Sequence, residues 1–176
     1  LQSLLDRGHQ ISLSSLRADR IARKPIIAKL LRESGARTLT VASDAASQQL
    51  RRTIMKGTTD AHITRCAEIT REYGYHALKV YMMLGLPGEE NEDVDELIES
   101  TLALSKKSRI VLGIAPFVAK RNTPLDGTPW AGIKVVDDRL KRLKKGLKGR
   151  ATVRPTSARW AWVEYVMAQH GPLAGE

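Results

Sequence analysis

The residues best suited to chemistry cluster in "SDAASQQLRR", Ser43 to Arg52. The apolar run "RTLTVA" stops there at an acid, small residues and a hydroxyl, and two arginines follow about one helical turn later. Asp44 at such a strand end can accept hydrogen bonds from a ribose hydroxyl or an ammonium group. Ser47 can do the same, or can cap the helix that starts near Gln48. Ala45 and Ala46 would let a planar or bulky ligand approach the backbone. Arg51 and Arg52 can pair with a ligand carboxylate, although an exposed helical arginine is usually just solvated.

Three other strand ends carry similar marks. "SSLRAD" holds Ser14, Ser15, Arg17 and Asp19, where Arg17 meets either a ligand or Asp19 itself. "LGLPGEE" sets two glycines around Pro87, allowing a sharp turn and close backbone approach, with Glu89 read as the start of the next helix. "APFVAKRNTPLDG" is the fourth. His9, His62, His76 and His170 have no metal-ligand spacing, and Cys66 reads as a half-buried packing residue.

The elements that must position these residues alternate. Strands are predicted over "QISLSSL" (10–16), "RTLTVAS", "ALKVYMML" and "RIVLGIAPFV". Helices are predicted over "KPIIAKLLRESG", from Gln48, over "DAHITRCAEITREYG" with Thr58 or Thr59 as its cap, and over "NEDVDELIESTLALSKK". Strand–helix alternation predicts crossovers and a parallel sheet, and the continuous apolar character of the third and fourth strands predicts burial on both faces. Ligands of such sheets sit where strands turn toward helices, so four marked ends on one rim predict a composite site.

Composition bounds the rest. With 42% hydrophobic and 27% charged residues the chain of 176 is globular, and its apolar runs are too short to cross a bilayer. One cysteine excludes an internal disulfide, and a cytoplasmic location is expected. The absence of a starting methionine points to a piece of a longer protein. The net charge of +10 suits an anionic partner such as tRNA, and "DRLKRLKKGLKGR" concentrates seven cations around a Leu140/Leu143/Leu147 stripe. That run can equally be a solvated surface helix, and it has no interleaved aromatics. Residues 1–127 are expected to form the main unit. Residues 128–176 form a basic extension: that helix, "RATVRPTS" as a strand, and "ARWAWVEYVMAQHG" packed on the main unit through Trp160, Trp162 and Tyr165.

Taken in order, "SSLRAD", "ESGARTLTVASDAASQQLRRTIMKG", "LKVYMMLGLPGEENEDV" and "IAPFVAKRNTPL" resemble the second half of a radical S-adenosylmethionine (SAM) enzyme barrel. The group that often carries a cobalamin-binding domain is nearest, and tRNA methylthiotransferases are more distant. In such families the second segment reads "ApEaGSerLRrvinKg"; here Asp44 replaces Glu, Ala46 replaces Gly and Ser47 is kept. The resemblance implies an α/β fold, four strands of a (βα)6 partial TIM-type barrel, in an Fe–S oxidoreductase. It implies SAM along the strand ends, with Ser15, Asp44 and Ser47 toward its polar groups and Arg17, Arg51 or Arg52 toward its carboxylate. Leu84, Gly85, Phe117 and Val118 would pack on adenine. The CxxxCxxC motif whose thiolates hold the [4Fe–4S] cluster, through which SAM is cleaved to a 5′-deoxyadenosyl radical, is absent. The expected partners are therefore the missing N-terminal half and an electron donor, and the piece alone should be inactive and self-associate through its exposed sheet edge.

Overall fold

The computed structural model describes residues 1–11 and 13–170. After the short helix α1 (Gln2–Leu5), the chain runs through β1 (Leu16–Arg17), α2 (Ala18–Arg23), α3 (Ile26–Glu33), β2 (Thr38–Asp44), α4 (Gln48–Thr53) and α5 (Asp60–Glu72). It continues with β3 (Ala77–Leu84), α6 (Asn91–Ser105), β4 (Ile110–Pro116), α7 (Ile133–Gly146), β5 (Thr152–Pro155) and α8 (Ala158–His170).

All five strands are parallel, in the order β1-β2-β3-β4-β5. Because the order never reverses, crossovers of one hand deliver the helices to a single face, whereas a doubly wound sheet would be covered on both. One face is accordingly dry: Leu39 and Val41, then Leu78, Val80, Met82 and Leu84, then Ile110, Leu112 and Ile114 are all buried. Ile63, Ala67 and Thr70 of α5 and Val94, Leu97 and Leu104 of α6 are buried on the helices that cover it. Each large aliphatic side chain so buried contributes about 1.5–3 kcal/mol. This is an α/β partial TIM-type barrel, with five strands rather than four because "RATVRPTS" supplies β5 beside β4.

The helix ends follow local chemistry. Thr59 caps α5, accepting from His62 N at 3.3 Å while His62 Nδ1 accepts from Thr59 N at 3.2 Å. Pro25 stands at the N-cap of α3, where its missing N–H costs nothing. The leucine stripe of α7 behaves as expected, with Leu140, Leu143 and Leu147 all buried.

Three expectations are corrected. The first strand is only Leu16–Arg17, paired to Val41 and Ala42. Leu13, Ser14 and Ser15 are exposed and pair with no strand among the described residues, and Ser12 lies outside them. The third strand is not buried on both faces: Lys79 and Met83 are half-buried and Tyr81 is 40% exposed, because the described helices cover only the other side. On α8, Trp160 is 74% exposed rather than packed. Trp162 instead meets Trp130 and Tyr165, with centroids 5.6 and 5.8 Å apart, and Gly171 lies outside the described residues.

Candidate functional site at the strand ends and concave face

The uncovered face carries a depression of about 450 Å³, lined among others by Asp44, Lys79, Tyr81, Met83, Ala115 and Arg154. That volume is within the range of small-molecule clefts. Its upper edge is set by an irregularity in β2. The register shifts between Ala42 and Asp44, and Asp44 takes a left-handed conformation with φ 67°. An aspartate tolerates that region better than most residues, and the bulge turns its carboxylate to the concave face while Ser43 stays on the helix side. An ammonium does pair with Asp44, and it belongs to the chain's own Lys56. Ala45 and Ala46 are fully and almost fully buried and pack in the core.

The other proposed residues divide by place. Ser47 is fully buried and caps α4, its Oγ accepting from Leu50 N at 3.1 Å. Arg51 is 2% exposed and lies behind the sheet. Its guanidinium pairs with Asp60 and donates to Ser43 Oγ and Ala45 O, both at 3.3 Å, beside a cavity between the sheet and α5 and α6. Arg52 is exposed, as is Ser15. Arg17 forms a two-point ion pair with Asp19 at 3.0 and 3.1 Å, and its guanidinium holds the Asp19 carboxyl below the usual range. Arg17 also reaches the loop after α4, where a Cβ on Gly57 would stand 3.8 Å from its Nη2.

Leu84, Gly85, Phe117 and Val118 lie together at the ends of β3 and β4, where Phe117 N donates to Leu84 O at 2.8 Å. Gly85 has φ 85°, and a Cβ there would stand 3.1 Å from Ala131 Cβ, so glycine is required by both conformation and space. Glu89, read from sequence as a helix start, is instead a buried clamp one residue before the N-cap, Glu90. Its Oε1 accepts from Gly85 N and from Arg139 Nη1, each at 2.9 Å. Burial pushes its carboxyl above the usual range against the pull of Gly85 N–H and Arg139.

Sequence reasoning missed Lys79, Tyr81 and Arg154. The available signal was the alternation Lys79-Val80-Tyr81-Met82-Met83, which places the polar members on one side of β3. The basic helix also changes meaning. Arg139 pairs with Glu89, Arg142 with Asp95 and Lys141 with Asp138, leaving Lys144, Lys145, Lys148 and Arg150 without a carboxylate among the described residues.

A parallel partial barrel with crossover helices such as α5 and α6 on one face and polar or Gly/Pro-marked strand ends is the architecture of a class of cofactor-binding barrels. Residues 4–101 match the Radical SAM superfamily, and the chain belongs to that family. It is also 33% identical over 149 residues to an uncharacterized protein of Methanocaldococcus jannaschii, a match covering 81% of this chain and 32% of the relative. The chain thus spans about a third of that relative's length.

The donor set bears on both family cofactors. At the strand ends the structure puts the Asp44 carboxylate on the concave face and groups Leu84, Gly85, Phe117 and Val118 as an apolar cluster. A [4Fe–4S] cluster does not suit this chain's cysteine. Cys66 is fully buried, its thiol pushed up to about 12 by burial and pointed at Ala18 O at 3.6 Å. No group of metal-holding side chains occurs among the described residues, and none of their helices is long and apolar enough to cross a membrane.

Proposed function

We propose that this chain supplies the SAM-binding second half of the barrel of a radical SAM oxidoreductase, with the cluster held by another part of the same polypeptide. The carrying observation is the bulge that puts Asp44 in the depression of the concave face, together with Met83 of β3 and Ala115 of β4. Asp44 would exchange Lys56 for the ribose or ammonium of SAM, and the half-buried Val118 and the backbone at Gly85 would take the adenine, with Leu84 and Phe117 packed beneath them. Arg17 and Arg52 are the exposed arginines of the proposed set and so the ones open to a ligand carboxylate, while Ser47 and Arg51 act by holding α4 against the sheet. Once bound and reduced, SAM supplies a carbon radical that abstracts hydrogen. The strand-end motifs favour the group that often carries cobalamin, a cofactor that would occupy a separate upstream domain.

The full-length polypeptide, reconstituted with iron and sulfide under reducing conditions, should convert SAM to 5′-deoxyadenosine, while this chain alone should not. Chromatographic detection of no product from the full-length protein would overturn the proposal.

A further inference from the structure

The concave face holds a second set of groups below the rim. Lys79 Nζ donates to Tyr81 Oη at 2.8 Å and lies 4.4 Å from the Tyr81 ring centroid. The phenol oxygen therefore serves as an acceptor toward Lys79, which leaves its own O–H proton to point elsewhere. Tyr81, Gly113 and Arg154 form one row across β3, β4 and β5. Gly113 makes the row possible, because a Cβ there would fall 2.7 Å from Tyr81 Cδ1. Arg154 and Lys79 pair with no carboxylate among the described residues, and Asp44, the acid lining the same depression, is engaged by Lys56.

This row is rich in donors and poor in acceptors. Arg154, Lys79 and Tyr81 all line one depression, and a ligand that satisfies a guanidinium, an ammonium and a phenol O–H must bring oxygen acceptors and negative charge. At about 3.3 Å per residue, Tyr81 lies roughly 10 Å below the end of β3 at Leu84. Resting on the SAM reading of the rim, we infer that Lys79, Tyr81 and Arg154 form an anion-recognising subsite for the substrate. The substrate is a small molecule carrying a carboxylate or phosphate, which anchors its charged end in the row and leaves its other end near the rim. Selection by charge at one end and reaction at the other separates binding from chemistry, so substrates with different reactive ends can share the anchor.

The test is calorimetric titration of the full-length polypeptide with inorganic phosphate and, separately, with succinate. Saturable binding of one of them is expected, weakened at least about tenfold by Lys79→Gln and by Arg154→Gln, the scale of one charge-assisted hydrogen bond. Which probe binds distinguishes a phosphate-bearing from a carboxylate-bearing substrate. SAM affinity, measured on the same variants, should be unchanged. Lys145→Gln, on the basic helix, is the control for net charge and should leave anion binding intact. Saturation by neither probe, or an equal loss in Lys145→Gln, overturns the subsite. If wild-type protein binds the anion in this row but never binds SAM, the subsite stands and the SAM reading of the rim falls.

Discussion

Arg139 Nη1 lies 2.9 Å from Glu89 Oε1, which ties α7 to the turn after β3 across fifty residues of sequence. A second Arg139 nitrogen donates to the Glu89 carbonyl. The Glu89 side chain is fully buried and that of Arg139 is 12% exposed, and the same carboxylate oxygen holds Gly85 N. The turn that carries the apolar cluster is therefore held from behind by the basic helix. Removing one partner leaves a charge with little water around it, so Glu89→Ala should lower unfolding stability by about 3–5 kcal/mol. Glu89→Gln, which can still accept from Gly85 N, should lose about 1 kcal/mol. Urea unfolding of both variants measures the difference.

Asp19 and Glu89, both buried, have carboxyls shifted in opposite directions and should act oppositely on acid stability. Asp19 titrates below its ordinary value of 3.8, mainly through the Arg17 hydrogen bond, so its contribution is complete above that pH and is lost as pH falls through the lower native value. Glu89 titrates above its ordinary 4.5 because of burial, so stability is greatest below 4.5 and declines as pH rises through the native value. Urea midpoints plotted against pH should therefore flatten on the acid limb in Asp19→Asn. In Glu89→Gln they should flatten on the decline above 4.5.

Arg51 is predicted to be a stability residue. Arg51→Lys cannot serve Asp60 and the Ser43 and Ala45 acceptors together, since an ammonium lacks the guanidinium fork. A loss of about 2–4 kcal/mol is expected, with SAM affinity unchanged. Calorimetry showing weakened SAM binding in a folded variant would instead move Arg51 onto the ligand.

Asp44→Ala, by contrast, should weaken SAM binding to the full-length protein by about 1–3 kcal/mol, the scale of a charge-assisted hydrogen bond. The effect on stability should be smaller, because the side chains of Asp44 and Lys56 are partly solvated at 31% and 23% exposure. Unchanged SAM affinity would assign Asp44 to the Lys56 pair alone.

Gly113→Ala should displace the Tyr81 ring and cost about 1–3 kcal/mol of stability, because the new methyl would fall inside the ring's contact distance. The double variant Gly113→Ala, Tyr81→Ala should recover part of that loss in thermal unfolding.

The sequence by itself determined the alternation of strands and helices and the apolar stripe of α7, narrowed the α5 cap to Thr58 or Thr59, and marked Ser47 as a candidate cap of α4. Each depends on periodicity or on a side chain a few residues from its partner, so the information is local. It also marked the four strand ends as one rim. Only the tertiary structure decided which face each group reaches. Arg51 and Arg52 are adjacent, yet Arg51 is buried behind the sheet and Arg52 is exposed. Glu89 looked like the start of a helix until Arg139, fifty residues later, arrived beside it. Lys79, Tyr81 and Arg154 became one cluster because β5 pairs with β4 in a particular register. Such pairings follow from how separate elements stack, and no neighbour in the chain encodes them.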